Sequence, residues 1–119
     1  AVGRAAIAAG FTTGADCRVN FTSLGSSGSA PADVDTQLGN EVFRREVASA
    51  GNVSTVGFVT AFYGATETTG TYREAGIWIG ASSTPNSGIL FSKVLLNSPS
   101  GIVKSSSETL TIDYEITVN

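Results

Sequence analysis

The chain has 119 residues with a formal net charge of −3, and only 14% of its residues are charged. That balance excludes the basic stripe a nucleic-acid binder needs, and no apolar run approaches the ~18–20 residues of a membrane-spanning helix. His is absent and Cys17 stands alone, so Ser-His-Asp and Cys-His catalysis and an intrachain disulfide are all excluded.

What remains is a chain suited to one domain around one hydrophobic core. Hydrophobic residues make up 41%, including six Phe, three Tyr and one Trp, beside 14 Gly. Thr, Val and aromatics fit pleated surfaces, and Gly and Ser fit turns, so short strands are favoured over helices. A surface so poor in charge points to coverage by partners. The chain contains no Met and starts at Ala1. Removal of an initiator Met before a small residue is therefore expected, with the 119 residues forming a whole small protein.

In chain order, "AVGRAAIAAGF" is an arm over residues 1–12 with a short helix within 2–9, lacking the length and basic start of a secretory signal. "CRVNFTSL" alternates as a strand, with Cys17, Val19 and Phe21 on one face, which predicts a buried thiol. "GSSGSAPAD" (25–33) is a long loop. "DTQLGNEVFRREV" (35–47) gives no coherent helical stripe. As a strand entered through Gly39-Asn40 it sends Phe43, Arg45 and Val47 one way and Val42, Arg44 and Glu46 the other.

"ASAGN" (48–52) suits a hairpin turn, and "NVSTVGFVTAFYG" (52–64), apolar on both faces, reads as a central strand. "GATETTG" (64–70) connects to "TYREAGIWIG" (71–80), which opens polar and turns apolar. "GASSTPNSG" (80–88), "GILFSKVLLN" (88–97), "NSPSG" (97–101), the short "IVK" and a Ser-rich turn at 105–107 follow. "ETLTIDYEITV" closes the chain with Leu110, Ile112, Tyr114, Ile116 and Val118 on one face. Strands at intervals of about 8–12 residues predict an all-β antiparallel β-sandwich, jelly-roll or immunoglobulin-like, as a single domain over 13–119.

Few residues can carry chemistry. The carboxylate pairs Asp33/Asp35, Glu41/Glu46, Glu67/Glu74 and Asp113/Glu115 fit solvated faces or turn caps better than acid–base work. The Asp33-x-Asp35 spacing fails as a calcium loop, because Gln37 and Leu38 stand where a ligand and a glycine are required. No glycine pattern matches a phosphate loop. Asn20 and Asn52 begin glycosylation sequons inside predicted strands. Tyr63, Tyr72 and Trp78 would stack on sugar if exposed, though Trp78 between Ile77 and Ile79 reads as core or interface. Arg44 and Arg45 beside Glu41 and Glu46 predict exposed ion pairs across strands or subunits, which set register and partner choice more than stability.

The order of segments resembles a family of small β proteins of tailed-bacteriophage virions. Its boxes read here "VGR" (2–4), "SLGSSGSAPADVDTQLGNEVFRR" (23–45), "TYREAGIWI" (71–79) and "VKSSSETLTIDYEITV" (103–118), with Gln37 in place of a small residue. The resemblance covers most of the chain and implies a virion structural component with no catalytic residues. Together with the residue reading it leads to a capsid decoration or cement protein, a symmetric dimer or trimer on the outer shell bound to the major capsid protein. A tail, baseplate or fibre component is the alternative, and a carbohydrate-binding module the second. No catalytic, cofactor-binding or metal residue is expected, nor a nucleic-acid or membrane partner. The expected interface comprises Arg4, Ile7, Phe11, Glu41, Arg44, Arg45 and Trp78, with the arm and the edge strands adding to or swapping onto neighbours.

Overall fold

A computed structural model describes residues 2–118. Among them are one helix, α1 (Gly3–Thr13), and nine strands: β1 (Val19–Gly25), β2 (Glu41–Glu46), β3 (Ser49–Val53), β4 (Val56–Tyr63), β5 (Gly70–Tyr72), β6 (Glu74–Ile79), β7 (Ile89–Leu95), β8 (Ile102–Lys104) and β9 (Leu110–Thr117). All pairings are antiparallel. One sheet runs β2-β1-β6-β7, a second β3-β4-β9, and β5 pairs with β8 alone. The architecture is the expected all-β sandwich with a short N-terminal helix.

Period-two patterning explains the second sheet. Along β9 the apolar set Leu110, Ile112, Tyr114 and Ile116 turns inward, while Thr111, Asp113, Glu115 and Thr117 stay exposed. Opposite them on β4, Val59, Ala61 and Tyr63 face the same way. They meet Leu24, Ala75 and Ile77 of the first sheet, with Tyr72 and Leu96, in one core cluster. Val59 and Phe58 differ in burial as adjacent residues of a half-solvated strand must.

The first sheet is covered on both faces at its centre. β6 is buried at every position, because its outer face carries a second cluster of Phe21, Leu38, Trp78 and Leu90. Leu38 arrives from the 26–40 loop, which folds back over the sheet as a third layer.

At one side the sandwich is closed by the chain itself. Val47 donates its amide to Asn20 O (3.1 Å) in the first sheet, and the next residue, Ala48, donates to Thr60 O (2.9 Å) in the second. At the other side the edge strands β7 and β9 face each other unpaired.

Several expectations are corrected. "ASAGN" is strand rather than turn: Gly51 and Asn52 pair with Phe58 and Gly57, and the hairpin turns at Ser54-Thr55, where Ser54 takes φ +53°. All of β3 is exposed, so it has no buried side chain to betray its period. "TYREAGIWIG" splits at Arg73 into β5 and β6, which belong to different sheets. β1 starts at Val19, leaving Cys17 exposed instead of buried. The arm helix is longer than expected, ending at Thr13 with Gly14 in the left-handed region (φ +73°).

Candidate assembly surface

Glu41 and Arg44 of the "LGNEVFRR" segment and Glu74 of "TYREAGIWI" are buried on the outer face of the first sheet, the side of Trp78 and Leu38. Glu74, the first residue of β6, is fully buried. Its Oε1 accepts the Gly39 amide (2.8 Å), and its Oε2 accepts the amides of Asn40 (2.8 Å) and Ser27 (3.0 Å). The Lys93 ammonium lies 3.6 Å away and also 3.8 Å from Asp35. A buried carboxylate satisfied by three amides and a cation is an anchor, and it holds both ends of the 26–40 loop. A Cβ at Gly25 would run into this carboxylate, so the close approach requires glycine there.

Arg44 forms a second anchor. Its guanidinium grips Glu41 bidentately, Nη2 to Oε1 at 2.8 Å and Nε to Oε2 at 3.2 Å, with both side chains only 3% exposed. Nη1 donates to Ser82 O, Ser87 O and Ser87 Oγ, and Asn86 N donates to Glu41. The guanidinium carbon lies 4.6 Å from the Trp78 ring centroid, a cation–π contact in a desolvated setting. This corrects the expectation of an exposed pair across strands or subunits: the pair is buried, lies within one strand, and ties down the 80–88 connector. Arg45, on the opposite face, bonds Glu67 and Phe62 O with both charged side chains substantially exposed.

Trp78 is fully buried, with its indole N–H donating to Ser23 Oγ at 2.7 Å, so it presents no face to a partner. Tyr63 and Tyr72 are buried as well. The Tyr63 hydroxyl donates to Thr22 Oγ1 (2.8 Å), and burial pushes its ionisation well above the ordinary tyrosine value. Burial does the same to Tyr114, with Tyr63 nearby adding to the effect. The Tyr114 hydroxyl has no hydrogen-bond partner among the described residues. Lys104, also buried, donates to the carbonyls of Ala65 and Thr68 (3.1 and 2.8 Å), fixing the 64–70 connector. Glu74, Lys93 and Lys104 were not singled out by sequence as buried ions; the amides they serve come from loops whose course the sequence does not display.

The remaining expected interface residues lie together. Arg4, Ile7 and Phe11 fall at i, i+3 and i+7 on one face of α1. Arg4 is exposed, Ile7 is 40% exposed and Phe11 86%. The flanking face, through Gly3 and Ala6, is buried, with Gly3 seated against Phe91 of β7 so closely that a Cβ would clash. Beside this contact, between β7 and β9, lies an open groove of about 480 Å³. Ile77, Phe91, Val94, Ile112, Tyr114 and Ile116 line it. Asp113 and Glu115 border it from β9, but their side chains lie on the solvent face of the second sheet, where Asp113 accepts from the Thr60 hydroxyl at 2.9 Å.

Among the described residues no three His, Cys, Asp or Glu side chains cluster to hold a metal ion, and no helix is long and apolar enough to cross a membrane. Compared with family models and with curated proteins, the chain matches none.

Proposed function

We propose that this chain is a non-enzymatic structural subunit of a tailed-bacteriophage virion, assembled as a homo-oligomer that decorates the outer shell. One observation carries the reading. The charged side chains best placed for chemistry, Glu74, Lys93, Glu41 and Arg44, are consumed in fastening loops. Exposed apolar surface remains on a helix face and along an open seam between two edge strands. Exposed apolar surface of this kind belongs to assembly. The phage-like boxes support the virion setting, since "LGNE" and "YREAG" meet at Glu74 and so mark one structural anchor.

A tail, baseplate or fibre position is the second reading, favoured by the same seam, which suits subunits arranged head to tail around an axis. Copy number per particle, from quantitative mass spectrometry of purified virions, separates the two. Copies on the order of hundreds place the subunit on the shell, and about three to eighteen place it in the tail, as the symmetries of those parts dictate. Absence from the particle, or selective binding on a glycan array, overturns the virion reading.

A further inference from the structure

We propose that Lys93 and Asp35 condense into an intramolecular isopeptide bond, with the buried Glu74 carboxylate carrying the protons. Such a bond is independent of the virion reading. Lys93 pairs with Gly76 across β6 and β7, and Leu38 and Leu90 fill the space above that glycine. The Lys93 side chain is 4% exposed, Glu74 is fully buried, and Asp35 is 23% exposed. Among the described residues the ammonium makes no hydrogen bond. It stands 3.6 Å from Glu74 Oε1 and 3.8 Å from Asp35 Oδ2. Both separations exceed the about 2.7–2.9 Å of a charge-assisted bond, so a buried cation lacks the bonds that normally compensate its burial. An amine, a carboxyl group and a second carboxylate therefore converge where water is largely excluded.

Two of the three groups are held in place. Glu74 is fixed by the amides of Ser27, Gly39 and Asn40, and Asp35 by the Ala32 amide on Oδ2 (2.8 Å). Lys93, on its flexible four-carbon stem, is the partner that moves. Glu74 takes a proton from the ammonium and hands it to an Asp35 oxygen. The freed nitrogen lone pair forms the C–N bond to Asp35 Cγ. A second nitrogen proton follows through the same carboxylate, and the Asp35 oxygen leaves as water. One ammonium and one carboxylate give one amide and one water, Glu74 is regenerated, and no further reactant enters. Holding amine and acid together supplies an effective molarity of about 10⁵–10⁸ M, which offsets the unfavourable condensation of the free groups in water. The product removes two charges from a confined site and ties the 26–40 loop covalently to β7.

The test is the intact mass of the purified, folded chain, denatured and measured by electrospray mass spectrometry. Wild type is expected one water lighter than its sequence mass, and Asp35→Ala and Lys93→Arg at their full sequence masses. Trypsin does not cut after an acylated lysine. Digestion is therefore expected to yield residues 19–44 joined through Asp35 to residues 74–104, uncut at Lys93. Glu74→Gln, shown to be folded by circular dichroism, is expected to stay at its full mass, because an amide does not relay protons. Should that variant fail to fold, the wild-type mass and the branched peptide decide by themselves. A folded wild type at its full sequence mass overturns the proposal. So does a water loss that survives Asp35→Ala or maps to another pair of residues, and a cross-link in folded Glu74→Gln overturns the part assigned to Glu74. None of these outcomes bears on copy number in the particle, by which the virion reading is judged.

Discussion

Asn40 donates its backbone amide to the Glu74 carboxylate at 2.8 Å across a separation of 34 residues. The Gly39 amide reaches the other oxygen of the same group, also at 2.8 Å. A loop of Gly, Ser and Ala has little apolar surface with which to hold itself down, so a buried anion supplies the attachment. Leu38, beside these amides, then delivers its side chain to Trp78 and Phe21.

Glu74→Gln is expected to destabilise the fold by about 2–4 kcal/mol, because an amide presents one acceptor where two are used and Lys93 loses its buried counter-charge. Urea unfolding followed by Trp78 fluorescence measures it. A loss below about 0.5 kcal/mol, the scale of ordinary surface substitutions, would contradict the anchor.

The two adjacent arginines should behave differently. Arg44→Lys removes a bidentate bond and the stacking on Trp78, at a cost of about 1–3 kcal/mol. Arg45→Lys, at an exposed pair, is expected to change stability by no more than about 0.5 kcal/mol. Paired denaturation curves decide between this ordering and equal effects.

The buried tyrosines form a matched contrast. Tyr63→Phe removes the bond donated to Thr22 Oγ1, which keeps its own bond to Arg45 O, a loss of about 0.5–1.5 kcal/mol. Tyr114→Phe deletes a hydroxyl that has no partner, so stability holds or rises by up to about 1 kcal/mol. Midpoints in guanidinium report both, and a larger loss at Tyr114 than at Tyr63 would refute the assignment.

Alkaline pH should unfold the protein through these same side chains. Burial raises the ionisation of Tyr63 and Tyr114 above their ordinary value of 10.0. The unfolded chain therefore releases these protons first. Their contribution is fully present below about pH 10 and then declines by about 1.4 kcal/mol per pH unit for each tyrosine. Absorbance at the tyrosinate band during a pH jump should track unfolding, and Tyr114→Phe should reduce the slope.

Much of the fold was legible in the residues. β9 shows its register outright, since Leu110, Ile112, Tyr114 and Ile116 share one face. The Gly39-Asn40 entry into β2, with Phe43 and Arg44 on opposite faces, also follows from period two. β3 was hidden because no side chain in it is buried, leaving only turn-like composition to read. The break at Arg73 was hidden because Tyr72 and Ala75 both belong to the core cluster, and apolar runs do not say which sheet they serve. On the surface, Arg4 and Ile7 fall in the stretch read as helix, whereas Phe11 lies beyond it and joins the helix only because α1 runs on to Thr13. The groove was not legible, because its walls come from strands distant in sequence, and Glu41–Arg44 turned inward because the 80–88 connector covers it.

The double attachment of the 26–40 loop separates its root from its crown. Ser27 on one side and Gly39 and Asn40 on the other are held by one carboxylate, and every residue from 28 to 34 is exposed. Doubling the length of such a closed segment costs only about 0.6 kcal/mol of chain entropy. The crown is thus a platform on which sequence can drift, lengthen or carry a grafted peptide while the sheet beneath stays unaware of the change.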